Sequence, residues 1–244
     1  MQILLFLTLY QFRCIIHSAT NHDLVKIILE RGIKMKTRFN YIMSKIPLIK
    51  NRTKLIISMG LLAFAFIMYN VNSYSIDSKL CLGAMCFSFL GDIALNCTPH
   101  GKRPHYLLYI GAVFFMLAHI TYADAYGVLI GQNGLMNPGA FAALVFVLLL
   151  TGMTILIAII NRKTPKQSMI LVFCIYAMVI GYNFVTISSY SYSFHAVSFI
   201  GALSFLISDF IISIENIFKI KNDTLRKLVW IFYPIGQILI IACR

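Results

Sequence analysis

The sequence predicts an all-α fold: a polytopic transmembrane helical bundle of seven to eight spans, with no β-sheet. Three observations predict it. Hydrophobic residues make up 59% of the chain and charged residues 12%, against about 25% charged residues in soluble domains. The mean hydropathy is +0.82, and the apolar residues form long runs rather than short periodic faces. Basic residues collect in alternate loops between those runs.

Residues 1–54 are predicted to form a basic, cytoplasmic N-terminal region. Residues 1–17 are apolar except where Gln11 and Arg13 interrupt them, and they are short for a span. They are open to three interpretations: a weak first helix, a signal-like segment, or upstream sequence that is not translated, with Met35 as the alternative start. The stretch from Lys26 to Lys54 is the densest basic segment of the chain. We therefore expect the transmembrane domain to occupy residues 55–244.

Seven apolar runs follow the basic region. Each can cross a bilayer, because ~18 helical residues rise ~27 Å, which is close to the thickness of the hydrocarbon core. The runs occupy residues 55–71, 80–97, 106–128, 139–160, 168–187, 195–218 and 228–243.

The loops between these runs alternate in charge. Loops 99–105, 161–167 and 219–227 are basic, whereas loops 131–138 and 188–194 contain no lysine or arginine. This is the positive-inside distribution, so we expect the basic loops to face the cytoplasm and the chain to lie in a bacterial inner (cell) membrane. Topology thus accounts for the net charge of +13, and we expect no nucleic acid partner because no nucleic-acid-reading motif accompanies the charge.

Asp92 and Asp209 lie inside apolar runs and organise the functional prediction. An aspartate at the centre of a membrane helix costs roughly 2.5–3.5 kcal/mol to insert, so it usually faces a protein interior or a water-filled cavity. Counted along their helices, both acids lie ~18–21 Å from the same side of the membrane. We therefore expect the two carboxyl groups to meet in one sheltered site.

Other spans carry polar residues at helical spacing, and these predict an interior cavity lined by an imidazole, phenols and amides. The alternative is that such residues only form hydrogen bonds between helices, each of which stabilises the bundle by about 0.6 kcal/mol on average. Lys102 and Arg103 follow the Asp92 span and predict a clamp for a headgroup phosphate, or simply positive-inside charge. The candidate binding residues within the spans are His119, Tyr122, Tyr176, Tyr233 and Gln237.

Metal and cofactor chemistry is not expected. The sequence contains no HExxH motif, no C-x-x-C pair and no clustered Cys and His spacing. It also lacks a G-x-S-x-G nucleophile elbow and a glycine-rich phosphate loop.

Four pieces of the sequence together resemble the YhhN family of polytopic membrane proteins. This family includes lysoplasmalogenases and is related to transmembrane protein 86. The pieces are SFLGDIAL at 88–95, GAVFFMLAHITY at 111–122, GALSFLISD at 201–209, and Tyr233 with Gln237 in the last span. Their order and spacing agree with the family from about residue 55 to the C-terminus.

The resemblance implies an eight-helix bundle that hydrolyses the vinyl ether bond of a lysoplasmalogen. The partners it implies are a lysophospholipid substrate and membrane lipid, and the products are a fatty aldehyde and a glycerophospho-alcohol. It also implies that Asp92 and Asp209 are the catalytic pair, one as general acid and the other as base. Sequence does not decide which acid has which role, because a coupled pair titrates as a unit.

Two further functions remain open. A transporter or channel could use the intramembrane aspartates as ion or proton sites, and a scaffold protein could keep the fold without activity. No span is clearly broken by a proline at mid-membrane, and no inverted repeat is visible, which favours an enzyme over a transporter.

Overall fold

The computed structural model describes residues 32–33, 35, 37–43, 51–96, 105–131, 152, 167–193, 196–217 and 222–243. The regular structure in these residues is entirely helical, which confirms the predicted all-α class. The long helices are α1 (Asn51–Val71), α2 (Ile76–Asn96), α3 (His105–Gly131), α4 (Gln167–Ser193), α5 (Ala196–Ile217) and α6 (Asp223–Ala242).

All six helices contain a stretch long and apolar enough to cross a membrane. They coincide with six of the seven predicted runs, and their ends extend a few residues beyond most of them. The remaining run at 139–160 lies outside the described residues apart from Gly152, and so does the first helix predicted at 1–17.

The chain divides into two compact units. One unit comprises residues 1–48 with 223–227, and the other comprises residues 49–222 with 228–244. Among the described residues of the first unit, 37–43 are helical, and the Lys227 ammonium donates a hydrogen bond of 2.6 Å to the Met43 carbonyl oxygen. All candidate site residues described below belong to the second unit.

Helix α1 begins at Asn51, four residues before the apolar run that predicts it. The hydropathy pattern excludes this first turn because it contains Arg52 and Lys54. Lys54 is nevertheless 5% exposed, and its ammonium lies 5.2 Å from the centroid of the Trp230 ring. A cation over an indole face is attracted by the ring quadrupole, so this contact stabilises a charge within the helical bundle.

A Schellman motif joins α1 to α2. The Tyr74 amide donates to the Tyr69 carbonyl oxygen at 3.2 Å, and the two tyrosine rings meet edge to face at 4.9 Å. Ser73 and Tyr74 have φ of 54° and 61°, the left-handed conformation in which glycine is favoured. The chain therefore reverses direction with two non-glycine residues in a costly conformation.

Replacing Ser73 with glycine is expected to raise the free energy of unfolding by up to about 1 kcal/mol, because glycine adopts this conformation without a Cβ clash. Thermal unfolding of the purified protein in detergent micelles measures the change. The matched control is Asn72→Gly in the same turn, where φ is not positive, and it should be neutral or destabilising. A lower midpoint for Ser73→Gly than for the parent protein would contradict this account of the turn.

Glycines allow two pairs of helices to approach closely. A Cβ added at Gly236 of α6 would lie 2.8 Å from the Phe205 backbone nitrogen, and one at Gly201 of α5 would lie 3.0 Å from the Ile240 backbone nitrogen. Helices α2 and α3 approach as closely, but there Gly91 and Gly111 face the side chains of Phe115 and Leu95 rather than backbone atoms. Small residues at such crossings let the backbones of membrane helices pack against one another.

Helix α6 continues through Pro234 without interruption. Proline has no amide hydrogen, so the carbonyl of Trp230, four residues earlier, lacks its usual helical donor. Pro234, which causes this missing hydrogen bond, lies between Tyr233 and Gly236, in the part of α6 that contacts α2 and α5.

Candidate functional site

Asp92 is buried where α1, α2 and α6 meet. It is 4% exposed, and two hydroxyl groups donate to the same carboxylate oxygen, Oδ2: Ser58 Oγ at 2.6 Å and Tyr233 Oη at 2.7 Å. Ser58 comes from α1 and Tyr233 from α6, so three helices fix the orientation of this carboxyl group. The other oxygen, Oδ1, takes no part in these two hydrogen bonds.

Asp209 is buried among α3, α4 and α5 with a different kind of partner. Its Oδ2 lies 2.7 Å from Nε2 of His119, and both side chains are at most 2% exposed. The Asn183 amide lies 2.8 Å from the other ring nitrogen of His119, Nδ1. With the amide nitrogen donating to Nδ1, the ring proton resides on Nε2 and points at Asp209.

Both ring nitrogens of His119 are therefore hydrogen-bonded to protein groups. This arrangement orients Asp209 through the imidazole rather than presenting the imidazole to a ligand. Within the part of the chain that the structure describes, no three His, Cys, Asp or Glu side chains come together as a metal-binding set. Among the same residues, Oδ1 of Asn183 is buried without a hydrogen-bond partner, which leaves an acceptor beside this pair.

A third hydrogen-bonded group lies one helical turn from the Asp92 contacts, on α2 and α6. The Tyr122 hydroxyl donates to Oε1 of Gln237, and Nε2 of Gln237 donates to Ser88 Oγ at 3.2 Å. Ser88 is four residues before Asp92, one helical turn along the same face of α2. Gln237 is likewise one turn beyond Tyr233, so α6 supplies two consecutive contacts to the polar face of α2.

The fully buried ring of Phe205 links the surroundings of the two acids. Its centroid lies 4.5 Å from that of His119 and 5.7 Å from that of Tyr233. The carboxyl groups of Asp92 and Asp209 are close enough to interact electrostatically. Two ionisable acids, each costly to bury alone, thus lie in neighbouring buried polar groups with the Phe205 ring between them.

The family model described as the YhhN family matches residues 51–243. The chain belongs to the YhhN family. The match and the six apolar helices identify it as a multi-pass integral membrane protein. Searches of curated proteins and of solved structures find no match to this chain.

The residues singled out in this YhhN protein fall into two groups. Seven of them lie in the described helices, and each of the seven belongs to one of the three buried polar groups or borders one. Tyr176 borders the Asp209 group through its ring, which meets His119 edge to face at 6.1 Å. Lys102 and Arg103, the predicted headgroup clamp, lie outside the described residues. The seven are Asp92, Asp209, His119, Tyr122, Tyr176, Tyr233 and Gln237.

The structure adds contacts that the sequence did not single out. The sequence pattern assigns Lys54 to the basic segment before the first span, and Ser58 is an isolated serine in an apolar run. Their spacing of four residues, a polar pair on one face of an apolar helix, is the signal that could have identified them. Asn183 lies two helical turns after Tyr176 on α4, and its partner His119 is 64 positions away.

Proposed function

We propose that this YhhN protein is a membrane-embedded hydrolase that cleaves the vinyl ether bond of lysoplasmalogens. The products are a fatty aldehyde and a glycerophospho-alcohol. One observation carries the proposal: two buried carboxyl groups interact electrostatically but have unlike hydrogen-bond partners, hydroxyls for Asp92 and an imidazole for Asp209. Acid–base hydrolysis needs two such groups in different protonation states.

Asp92 is proposed as the general acid. Vinyl ether hydrolysis begins when a proton is added to the β-carbon of the double bond, which leaves an oxocarbenium ion. Ser58 and Tyr233 both donate to Oδ2, so a protonated Asp92 would carry its proton on Oδ1. The two hydroxyls thereby hold the acidic proton in a fixed direction, which is what proton transfer to carbon requires.

Asp209 is proposed as the base, with His119 and Asn183 as its positioning residues. The imidazole N–H stabilises the ionised carboxylate, and that negative charge opposes the oxocarbenium ion. Water adds to the cation and loses a proton to Asp209, which gives a hemiacetal. As the hemiacetal collapses, its hydroxyl loses a proton and the departing glycerol oxygen gains one, which releases aldehyde and alcohol. Return of the proton from Asp209 to Asp92 restores both acids for the next turnover. The unpartnered Oδ1 of Asn183 is a second acceptor for that water.

The remaining polar groups are proposed to bind the substrate. Tyr122, Tyr176 and Gln237 belong to these buried polar groups or border them, and they are proposed to contact the glycerol portion of the lipid. Lys102 and Arg103 are proposed to hold the headgroup from a basic loop. We propose a bacterial inner membrane location with the basic loops in the cytoplasm, and no cofactor is needed for the chemistry described.

The test is product formation by purified protein in detergent. We expect aldehyde from a 1-alkenyl lysophospholipid, and none from the matched 1-alkyl lysophospholipid, which has no double bond to protonate. In deuterium oxide the aldehyde should carry one deuterium on the carbon next to the carbonyl, because that carbon receives the proton. A 1-acyl lysophospholipid tests for esterase activity and should release no fatty acid.

The outcomes separate the enzyme from the other functional classes. Absence of aldehyde, or aldehyde without the deuterium label, would overturn the proposed mechanism. A transporter would act only in sealed vesicles, where it would move an ion or lipid and leave the alkenyl bond intact. A scaffold would show neither behaviour.

A further inference from the structure

Lys54 is a buried cation that the proposed mechanism does not use. It is the fourth residue of α1 and is 5% exposed. Its ammonium lies over the Trp230 ring, 5.2 Å from the centroid, and interacts electrostatically with Asp92. A lysine held inside a membrane bundle is expensive, and such residues usually mark a functional site.

Lys54 lies at the end of the bundle where lipid headgroups are found. A helix of 21 residues such as α1 is ~31 Å long, close to the ~30 Å of the hydrocarbon core, so its first turn is near the headgroup level. Asp92 lies four residues before the end of α2, the helix that returns to the same side. The ammonium and the proposed acid are therefore near the same membrane surface.

The offset along α1 between Lys54 and Ser58, the partner of Asp92, suits a lysophospholipid. Ser58 is one turn after Lys54, a rise of about 6 Å, and it donates to Asp92. In the substrate, the three carbons of glycerol separate the vinyl ether oxygen from the phosphate. A lipid whose double bond reaches Asp92 would thus place its phosphate toward the start of α1.

We propose that Lys54 binds the headgroup phosphate, an inference that rests on the proposed hydrolase function. Lysine binds phosphate as a compact point charge, and basic pockets between membrane helices bind anionic headgroups. The Trp230 face holds the ammonium in place before the substrate arrives. Lys54 thereby selects phosphate-bearing ether lipids over uncharged alkenyl glycerols.

A competing role for Lys54 is to act only as a counter-charge to Asp92. The two roles predict different effects of a Lys54 substitution on the kinetics of different substrates. A counter-charge would affect the turnover of every substrate equally, whereas a phosphate-binding residue would affect KM for phosphorylated substrates alone. Two substrates that differ only in the phosphate therefore separate them.

The kinetic test compares a 1-alkenyl lysophospholipid with the corresponding 1-alkenyl glycerol. We expect the parent protein to show a KM ~10- to 100-fold lower for the phosphorylated lipid, as expected for a charge-assisted contact. Lys54→Met should remove this preference by raising KM for the phosphorylated lipid, and Lys54→Arg should retain most of it. Arg52→Met is the matched control, since Arg52 is exposed in the same turn, and it should keep the preference.

Several results would overturn the proposal. They are a parent protein without any preference, a Lys54→Met variant that keeps it, and an equal loss of kcat on both substrates. The first of these is measured on the parent protein, so it does not depend on the folding of any variant.

Binding separates this proposal from the hydrolase proposal. A 1-alkyl lysophospholipid cannot be hydrolysed at a vinyl ether, so it reports binding alone. We expect it to raise the thermal unfolding midpoint of the parent protein more than 1-alkyl glycerol does, and we expect Lys54→Met to abolish the difference. That result would support the phosphate site even if no aldehyde were ever released. Equal stabilisation of both proteins would overturn it even in an active hydrolase.

Glycerol 3-phosphate distinguishes a lipid headgroup from a free phosphate ester. It presents a phosphate without the apolar chain, so we expect no Lys54-dependent stabilisation by it. Lys54-dependent stabilisation by glycerol 3-phosphate as strong as that by the lipid would overturn the headgroup as the ligand.

Discussion

Replacing Asp92 with asparagine is expected to lower the rate of aldehyde release by about 10²–10⁴-fold, the usual contribution of a general acid. Asparagine keeps the shape of the side chain and can still accept hydrogen bonds from Ser58 and Tyr233 on its amide oxygen. It has no proton that can be transferred to carbon. The fold should therefore persist while the chemistry stops, and kcat on a 1-alkenyl lysophospholipid measures the effect.

Asp209→Asn provides the companion measurement, with an expected loss of similar size. The amide cannot accept a proton from water and carries no charge to oppose the oxocarbenium ion. The matched control is Asp124→Asn on α3, where the aspartate is exposed, and this variant should retain the parent rate. If Asp92→Asn kept its rate within about threefold while folding normally, Asp92 would not be the acid.

Gly236→Ala is expected to have the largest effect on stability. The added Cβ would lie 2.8 Å from the Phe205 backbone nitrogen and 3.1 Å from the Gly201 carbonyl oxygen, and neither is a flexible side-chain end. Helices α5 and α6 would have to separate. Overpacking of this kind costs about 1–3 kcal/mol, measured as a lower free energy of unfolding in micelles.

The same change should also impair the site. Tyr233 and Gln237 flank Gly236 on α6, and both hydrogen-bond to side chains of α2. A shift of α6 would lengthen these contacts and reduce turnover. The matched control is Gly127→Ala on α3, where an added Cβ meets nothing within 4 Å, and it should be neutral or stabilising. Equal midpoints for the two variants would show that the α5–α6 crossing is not tight.

Much of the fold can be predicted from the sequence, because each membrane-spanning segment is recognisable from its own composition. Each span must be apolar over its whole length, so composition alone locates α1 to α6, and the exceptional Asp92 and Asp209 stand out against it. The helix ends are less well predicted. Residues 51–54 are polar and belong to α1, and the hydropathy pattern does not reveal that Lys54 packs against Trp230.

The pairing of side chains could not be predicted in the same way. Tyr233 is 141 positions from Asp92, and His119 is 90 positions from Asp209. Nothing local determines how each helix is rotated about its axis or which neighbours it has. The spacing on one helix predicts which residues share a face, as for Ser88 and Asp92. It does not predict that α1 and α6 supply the hydrogen-bond donors to Asp92, or that α3 and α4 supply His119 and Asn183 beside Asp209.

The order of these partners along the chain bears on how a nascent polypeptide enters the membrane. Ser58 is synthesised before Asp92, and both His119 and Asn183 are synthesised before Asp209. If the helices insert one after another, Ser58 is already in the bilayer when Asp92 enters it. His119 and Asn183 are likewise in the bilayer before Asp209 enters it. Biogenesis from N- to C-terminus need never leave a lone carboxyl group among lipid tails.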